Sequence, residues 1–102
     1  MFKNCKSLTV LTLNNIYSYV EGNKNYKLKT TSMFEGCINL EELNISNMQF
    51  ENEKIESENM FKDCNKLRKI ICLEHSFNYF MDNNLLTGTW KWKNNEAIRT
   101  DI

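Results

Sequence analysis

The chain has 102 residues, with 13 basic and 13 acidic side chains, four cysteines and no proline. Balanced charge gives no field that would draw the chain to nucleic acid or to an anionic membrane. No apolar run approaches the roughly 18 residues that a membrane span requires. We therefore predict a single-domain length of chain with no nucleic-acid partner and no membrane insertion within this sequence.

One short motif occurs three times and organises the chain. The copies begin at Met1, Met33 and Met60 and place six apolar residues at the same offsets. The first four have the i, i+1, i+4, i+7 spacing of one helical face, and the last two have the spacing of two that is typical of a strand. Each copy is therefore predicted to form a short helix followed by a short strand. The matched residues are Met1, Phe2, Cys5, Leu8, Leu11 and Leu13; Met33, Phe34, Cys37, Leu40, Leu43 and Ile45; and Met60, Phe61, Cys64, Leu67, Ile70 and Cys72.

The residues before each copy indicate how the predicted helices begin. Ser32 and Glu35 stand at the two positions of a capping box, and Asn59 holds the cap position before Met60. No residue precedes Met1 to cap the first helix, so we expect that helix to fray. The first unit is longer than the second, and its extra residues are predicted to form a small hairpin or bulged loop within Tyr17–Lys27.

Three of the four cysteines share one motif position. Cys5, Cys37 and Cys64 lie on the predicted buried helical face, and Cys72 takes the place of a core strand residue. Neighbouring helices lie about 8–10 Å apart, whereas a disulfide needs Cα atoms within about 7 Å. We therefore predict four reduced, buried thiols. A zinc site is not expected, because there is no CxxC pair and His75 is the only histidine.

The outward columns of the predicted strands carry the candidate binding surface. If the copies stack in register, Glu41 faces Arg68 and Glu42 faces Lys69, and such pairs favour this register. The outward face of a repeat sheet is often a partner-binding surface, although a merely solvated face is an equally open interpretation. The candidate face consists of Val10, Thr12, Glu42, Asn44, Lys69 and Ile71.

The segment after the third copy is not a repeat. Aromatic residues near Phe77 and Phe80, a turn at 82–84 and a strand over 85–93 predict a closing hairpin over the last copy. Trp90 and Trp92 are two residues apart and would share one face of that strand. One interpretation places them over the core of the last copy. The alternative makes them a stacking platform for sugar rings, together with Tyr17 and Tyr19.

No group of residues predicts catalysis. His75 stands between Glu74 and Ser76, and adjacent residues on one segment point apart, whereas a triad needs groups that converge from different elements. The acidic stretch over 51–58 reads as a solvated loop, without the tight Asp/Asn/Gly pattern of a calcium loop. We therefore predict no enzymatic activity, no cofactor and no metal, with a hydrolase kept only as a remote alternative.

The pattern MFxxCxxLxxLxL, followed in the first two copies by Asn15-Ile16 and Asn47-Met48, resembles the BspA-like leucine-rich repeats. Similar repeats occur in mycoplasma surface lipoproteins. The resemblance covers about Met1 to Leu73, and the 27-residue spacing from Met33 to Met60 lies within the range of leucine-rich repeats. The expected fold is α/β, a short leucine-rich-repeat solenoid of about three helix–strand coils with a C-terminal β-rich aromatic cap.

The expected organisation is a repeat array over residues 1–76, with units near 1–27, 28–54 and 55–76, and a capping segment over 77–102. The resemblance implies a non-enzymatic repeat scaffold of a bacterial surface protein, located at the cell surface or secreted. It would mediate adhesion or protein–protein interaction with a protein or host-surface ligand. Because Met1 is itself a motif residue, we expect an excerpt or broken copy of a longer array, with any signal or lipoprotein anchor upstream. The alternative function is an aromatic-rich carbohydrate- or cell-wall-binding module.

Overall fold

The computed structural model describes residues 2–13, 31–46 and 57–102. Within them the chain forms one five-stranded sheet with the strand order β1-β2-β3-β5-β4 and one short helix. The predicted loop in Tyr17–Lys27 lies outside the described residues. The elements are β1 (Val10–Thr12), β2 (Glu42–Asn44), β3 (Lys69–Ile71), α1 (Glu74–Asp82), β4 (Trp90–Lys93) and β5 (Glu96–Arg99).

The three motif strands pair in parallel and in register. Leu11 lies opposite Leu43, and Leu43 lies opposite Ile70, so equivalent motif residues are neighbours across the sheet. The central position is buried in β2 and β3, while the residues on either side of it are partly exposed. Because side chains alternate with a period of two, the central residues of the motif strands point into the core and the residues on either side of them point outward, as the sequence predicts.

The segment before each strand is a series of turns and not a helix. In the second copy the N–H of Cys37 bonds to the carbonyl of Phe34, three residues back, and the N–H of Leu40 bonds to that of Cys37. The N–H groups of Phe34 and Gly36 leave the copy altogether and donate to the carbonyls of Met60 and Lys62 in the third copy. In an α-helix that begins after Ser32, the N–H of Gly36 would instead donate to the carbonyl of Ser32, four residues back. Bonding between copies therefore replaces bonding within a helix.

A left-handed residue recurs in every copy and explains why no helix forms. Asn4, Gly36 and Asp63 occupy the same motif position and have φ values of 62°, 77° and 65°. These are the residue types that tolerate a positive φ most readily, and one such residue interrupts a right-handed helix. The position before each motif methionine is also left-handed in the two described cases, Ser32 and Asn59. Neither residue is the extended N-cap that the capping-box pattern predicts.

The predicted fold class is therefore wrong. The chain is not a leucine-rich-repeat solenoid of helix–strand coils, because the described motif segments contain turns and the only helix among the described residues, α1, follows the third copy. The fraying first helix does not exist either, since residues 3–7 form turns. The fold is mostly strand-based, a mixed sheet in which β1, β2 and β3 are parallel and β5 is antiparallel to both β3 and β4.

The C-terminal segment also differs from its prediction. The aromatic residues Phe77 and Phe80 lie in α1 and not in a strand. The hairpin instead joins β4 to β5 through Asn94 and Asn95, which both have positive φ, the geometry of a type I′ turn. The predicted division at residues 76 and 77 stays a prediction, and α1 crosses it.

The core is a stack of equivalent side chains from the three copies. The rings of Phe2, Phe34 and Phe61 form a phenylalanine column with centroids 5.6 Å and 5.7 Å apart and nearly parallel planes. The ring of Phe80 in α1 meets Phe61 edge-on at 5.2 Å and ends the column. Phe34 and Phe80 are completely buried. The helix thus covers the last copy on the side that lies away from the first copy.

Candidate functional site

The best candidate site is the side of the sheet opposite the core. The sheet register aligns two rows of side chains across all five strands. The row through the first strand position contains Val10, Glu42, Lys69, Ile98 and Lys91, and the other row contains Thr12, Asn44, Ile71, Glu96 and Lys93. We call these ten residues the outer face. All six residues of the sequence-predicted binding face belong to it.

Ion pairs fix the charged side chains in the middle of the outer face. The guanidinium of Arg68 lies 2.9 Å from Glu42 and 3.7 Å from Glu41, and Lys69 Nζ lies 3.1 Å from Glu96. The predicted pair of Glu41 and Arg68 is present. Glu42 lies opposite Lys69 in the register, but Lys69 reaches Glu96 on β5, a strand that was not predicted at this position. These exposed pairs each contribute no more than about 1 kcal/mol, so they affect register and local charge more than stability.

Apolar side chains interrupt the charged pattern. Val10 is 58 % exposed and Ile98 is 38 % exposed, among the largest values for apolar residues of the sheet, and Ile71 is partly exposed between them. An exposed apolar residue next to a fixed ion pair offers both contact area and hydrogen-bonding groups to a protein surface. The outer face therefore has the mixed character of a protein-interaction surface.

Sequence reasoning missed the part of the outer face that the C-terminal hairpin contributes. Lys91, Lys93, Glu96 and Ile98 lie on β4 and β5 and extend the rows beyond β3. The missed signal is Asn94-Asn95, which follows the alternating run Trp90–Lys93 and precedes the short run Glu96–Arg99. Two asparagines are well suited to the left-handed positions of a two-residue hairpin turn.

The tryptophans point to the core side of the sheet. Trp90 is only 7 % exposed and its indole N–H donates to the carbonyl of Thr87 at 2.9 Å. Trp92 is half-buried against the core and donates to the carbonyl of Cys72 at 3.1 Å. A sugar-stacking platform needs open ring faces, and this placement does not favour one. Tyr17 and Tyr19, the other residues of the proposed glycan site, lie outside the described residues.

All four cysteines are free thiols, as predicted. Cys37, Cys64 and Cys72 are buried, whereas Cys5 is half-buried, so the predicted burial is confirmed for three of the four thiols. The thiols of Cys37 and Cys64 each donate to the phenylalanine carbonyl of the preceding copy at 3.0 Å. Burial raises the pKa of Cys37, and it raises the pKa of both Cys64 and Cys72 to about 12. These thiols are therefore poor nucleophiles at neutral pH.

The remaining candidates for chemistry are separated from each other. Glu74 and His75 are exposed in the first turn of α1, whereas Ser76 is fully buried. Within the described ranges, no three His, Cys, Asp or Glu side chains come together as metal ligands. A polar cleft of about 340 Å³ lies between the third copy and the end of α1, lined by residues that include Asn59, Lys62, Asn83 and Thr87.

Comparison with protein-family models, with curated proteins and with solved structures finds no match. The resemblance to the BspA-like repeats therefore stays a prediction that the motif alone supports. In residues 2–13, 31–46 and 57–102, no helix has both the length and the apolar character for a bilayer crossing.

Proposed function

We propose that this chain is a non-enzymatic binding module that contacts a protein partner through the outer face. The observation that carries the proposal is the alignment of ten outward side chains across five strands, with the exposed Ile98 opposite Lys69 of the Lys69–Glu96 pair and the exposed Val10 opposite Glu42. The motif resemblance adds a location, the surface of a bacterial cell, and a role in adhesion to host or neighbouring surfaces.

A direct test uses the purified chain on immobilised extracellular-matrix proteins and, in parallel, on a glycan array. We expect saturable binding to a matrix protein that Ile98→Asp weakens by about tenfold or more, because a carboxylate replaces an exposed apolar contact opposite Lys69. Met81→Asp is the matched control, since Met81 is comparably exposed, at 41 %, but lies on α1.

Two outcomes would count against the proposal. Binding that Met81→Asp and Ile98→Asp weaken equally would show that the outer face is not the contact surface. Binding to glycans alone, abolished by Trp92→Ala, would instead support the carbohydrate-binding alternative.

A further inference from the structure

The hydrogen bonds between the turn segments of neighbouring copies run in one direction. The N–H of Phe2 donates to the carbonyl of Met33 at 2.8 Å, and the N–H of Phe34 donates to the carbonyl of Met60 at 2.9 Å. The first copy therefore donates to the second, and the second donates to the third. Each copy presents backbone N–H groups on the side where the following copy stacks.

The third copy has the same donors but no following copy to accept from them. The N–H of Ser32 donates to the carbonyl of Glu58 at 2.9 Å, and Asn59 holds the position of Ser32 in the third copy. Within the described part of the chain, the N–H groups of Asn59 and Phe61 meet no acceptor. Phe61 is only 4 % exposed, and unpaired N–H groups are rare in buried residues because they cost free energy. Both donors are therefore available to a ligand.

These two residues line the polar cleft of about 340 Å³ at the end of α1. The facing wall is the segment after the helix, with Asn83, Leu85 and Thr87. Every lining residue lies in the continuous described range 57–102, and none belongs to the outer face. The volume is at the lower end of the range for ligand pockets, which suits a small molecule.

The lining of the cleft carries one side chain of each charge, Lys62 and Glu58. Lys62 Nζ lies 3.8 Å from a carboxylate oxygen of Glu35, which Lys3 also approaches at 3.3 Å. Such a long, exposed pair holds the Lys62 ammonium only loosely, and its flexible four-carbon stem allows it to turn towards the cleft. Backbone N–H groups together with an ammonium suit a carboxylate. The exposed carboxylate of Glu58 suits an ammonium group.

From these observations we propose that the cleft binds a small zwitterion, a molecule with one carboxylate and one ammonium group, of the size of an amino acid or a short peptide. The ligand carboxylate accepts from the N–H groups of Asn59 and Phe61, in place of the carbonyls of a following copy, and pairs with Lys62. The ligand ammonium pairs with Glu58. The half-buried Leu85 gives the aliphatic part of the ligand an apolar contact. This site is separate from the outer face and does not depend on the function proposed for it.

The test is a titration of the full, isotopically labelled chain with L-leucine and with the dipeptide glycyl-leucine, followed by amide chemical shifts. We expect the signals of Asn59 and Phe61 to move saturably, and the tighter of the two probes distinguishes a free amino acid from a peptide. Acetate and isopentylamine each carry one of the two charges, and we expect them to bind about tenfold more weakly or worse.

A pair of lysine variants tests the same site. We expect Lys62→Gln to weaken binding of the zwitterion by about tenfold. Lys66→Gln is the matched control, because Lys66 is exposed on the same copy but bonds to Asn39 and does not line the cleft. Hydrogen exchange of the chain without ligand tests the premise, since the amide of Phe61 must exchange faster than that of Phe34.

The proposal is wrong if neither zwitterion shifts the amides of Asn59 and Phe61 up to its solubility, or if Lys62→Gln binds as tightly as Lys66→Gln. Acetate or inorganic phosphate that binds as tightly as the zwitterion would show a cleft for anions alone and would also overturn it. If Lys62→Gln does not fold, Glu58→Gln decides, because it must weaken binding of leucine and leave that of acetate unchanged.

Discussion

Gly36 combines a left-handed backbone conformation with a close contact to the first copy of the motif. Its φ is +77°, and a Cβ placed on it would overlap the Oδ1 atom of Asn4 in the first copy. Asn4 and Asp63 occupy the same motif position with side chains, so a positive φ alone does not require glycine there. The close approach of Asn4 is the additional reason for glycine in the second copy.

Replacing Gly36 with alanine is expected to lower the free energy of unfolding by about 1–3 kcal/mol, from the left-handed conformation and the contact with Asn4. Urea denaturation measures the change. Asn4→Gly removes the contact and permits the left-handed φ of residue 4, so Gly36→Ala is expected to cost less in that background. An equal cost in both backgrounds would contradict the contact with Asn4.

The buried thiols predict a pH dependence of stability. Cys64 and Cys72 have a pKa of about 12 in the folded chain, whereas a cysteine thiol in an unfolded chain ionises near pH 8.5. The unfolded state therefore loses its thiol protons first as the pH rises. The free energy of unfolding is at its full value below about pH 8.5 and falls progressively between there and about pH 12.

This loss is measurable by urea denaturation under reducing conditions at pH 8 and pH 10. Cys72→Val keeps an apolar side chain at the site and has no thiol to titrate, so its stability is expected to fall less over the same interval. All other side chains are the same in both chains, so the comparison isolates the effect of the Cys72 thiol. Identical pH slopes would contradict a buried, protonated Cys72.

At the level of elements, the C-terminal hairpin closes the sheet at β3. Residues of β5 pair with all of β3, and the indole of Trp92 bonds to the carbonyl of Cys72. The strands β4 and β5 also place Trp90 and Ala97 in the core. Removing the hairpin would expose Ile70 and Cys72, which are completely buried.

A chain that ends at Asn84 is therefore expected to lose its cooperative thermal unfolding transition or to aggregate. Circular dichroism and light scattering distinguish these outcomes. A chain that ends at Asp101 is the control, because it lacks only Ile102, which is 67 % exposed, and keeps the ion pair between Asp101 and Arg99. A chain ending at Asn84 that melts as the full chain does would show that the hairpin is not a structural cover.

The sequence predicted the strands of the motif better than the segments before them. Leu11, Leu43 and Ile70 fall at equal offsets in three copies, and a repeated period-two pattern leaves one register that buries all of them. The helical prediction failed because the spacing of Met33, Phe34, Cys37 and Leu40 also suits consecutive turns. Such turns bury the same side chains while their N–H groups bond to the next copy.

The residues that distinguish turns from a helix were present in the sequence. Asn4, Gly36 and Asp63 form a column of types that favour a positive φ, and this column interrupts each apparent helical face. Sequence reasoning also predicted only part of the outer face. Its β1, β2 and β3 residues follow from the repeat, whereas the contribution of Ile98 depends on a non-repeated hairpin that docks on β3 by tertiary contacts.

At the scale of the whole molecule, both sides of the sheet depend on one arrangement. The three copies must stack in register for Phe2, Phe34 and Phe61 to form a column, for the Cys37 and Cys64 thiols to reach the preceding copy, and for the outer face to align. If the register slipped by one residue, the outward residues would turn into the core. Stacking of turn-and-strand copies is thus the central feature of the fold and of the proposed site.

The most direct test of that stacking is nuclear Overhauser spectroscopy of the isotopically labelled chain. We expect ring-to-ring contacts between Phe2 and Phe34 and between Phe34 and Phe61, together with backbone shifts of a left-handed residue at Asn4 and Asp63. Continuous helical shifts across residues 33–40, or phenylalanine rings without contacts between copies, would contradict the stacked turn-and-strand arrangement.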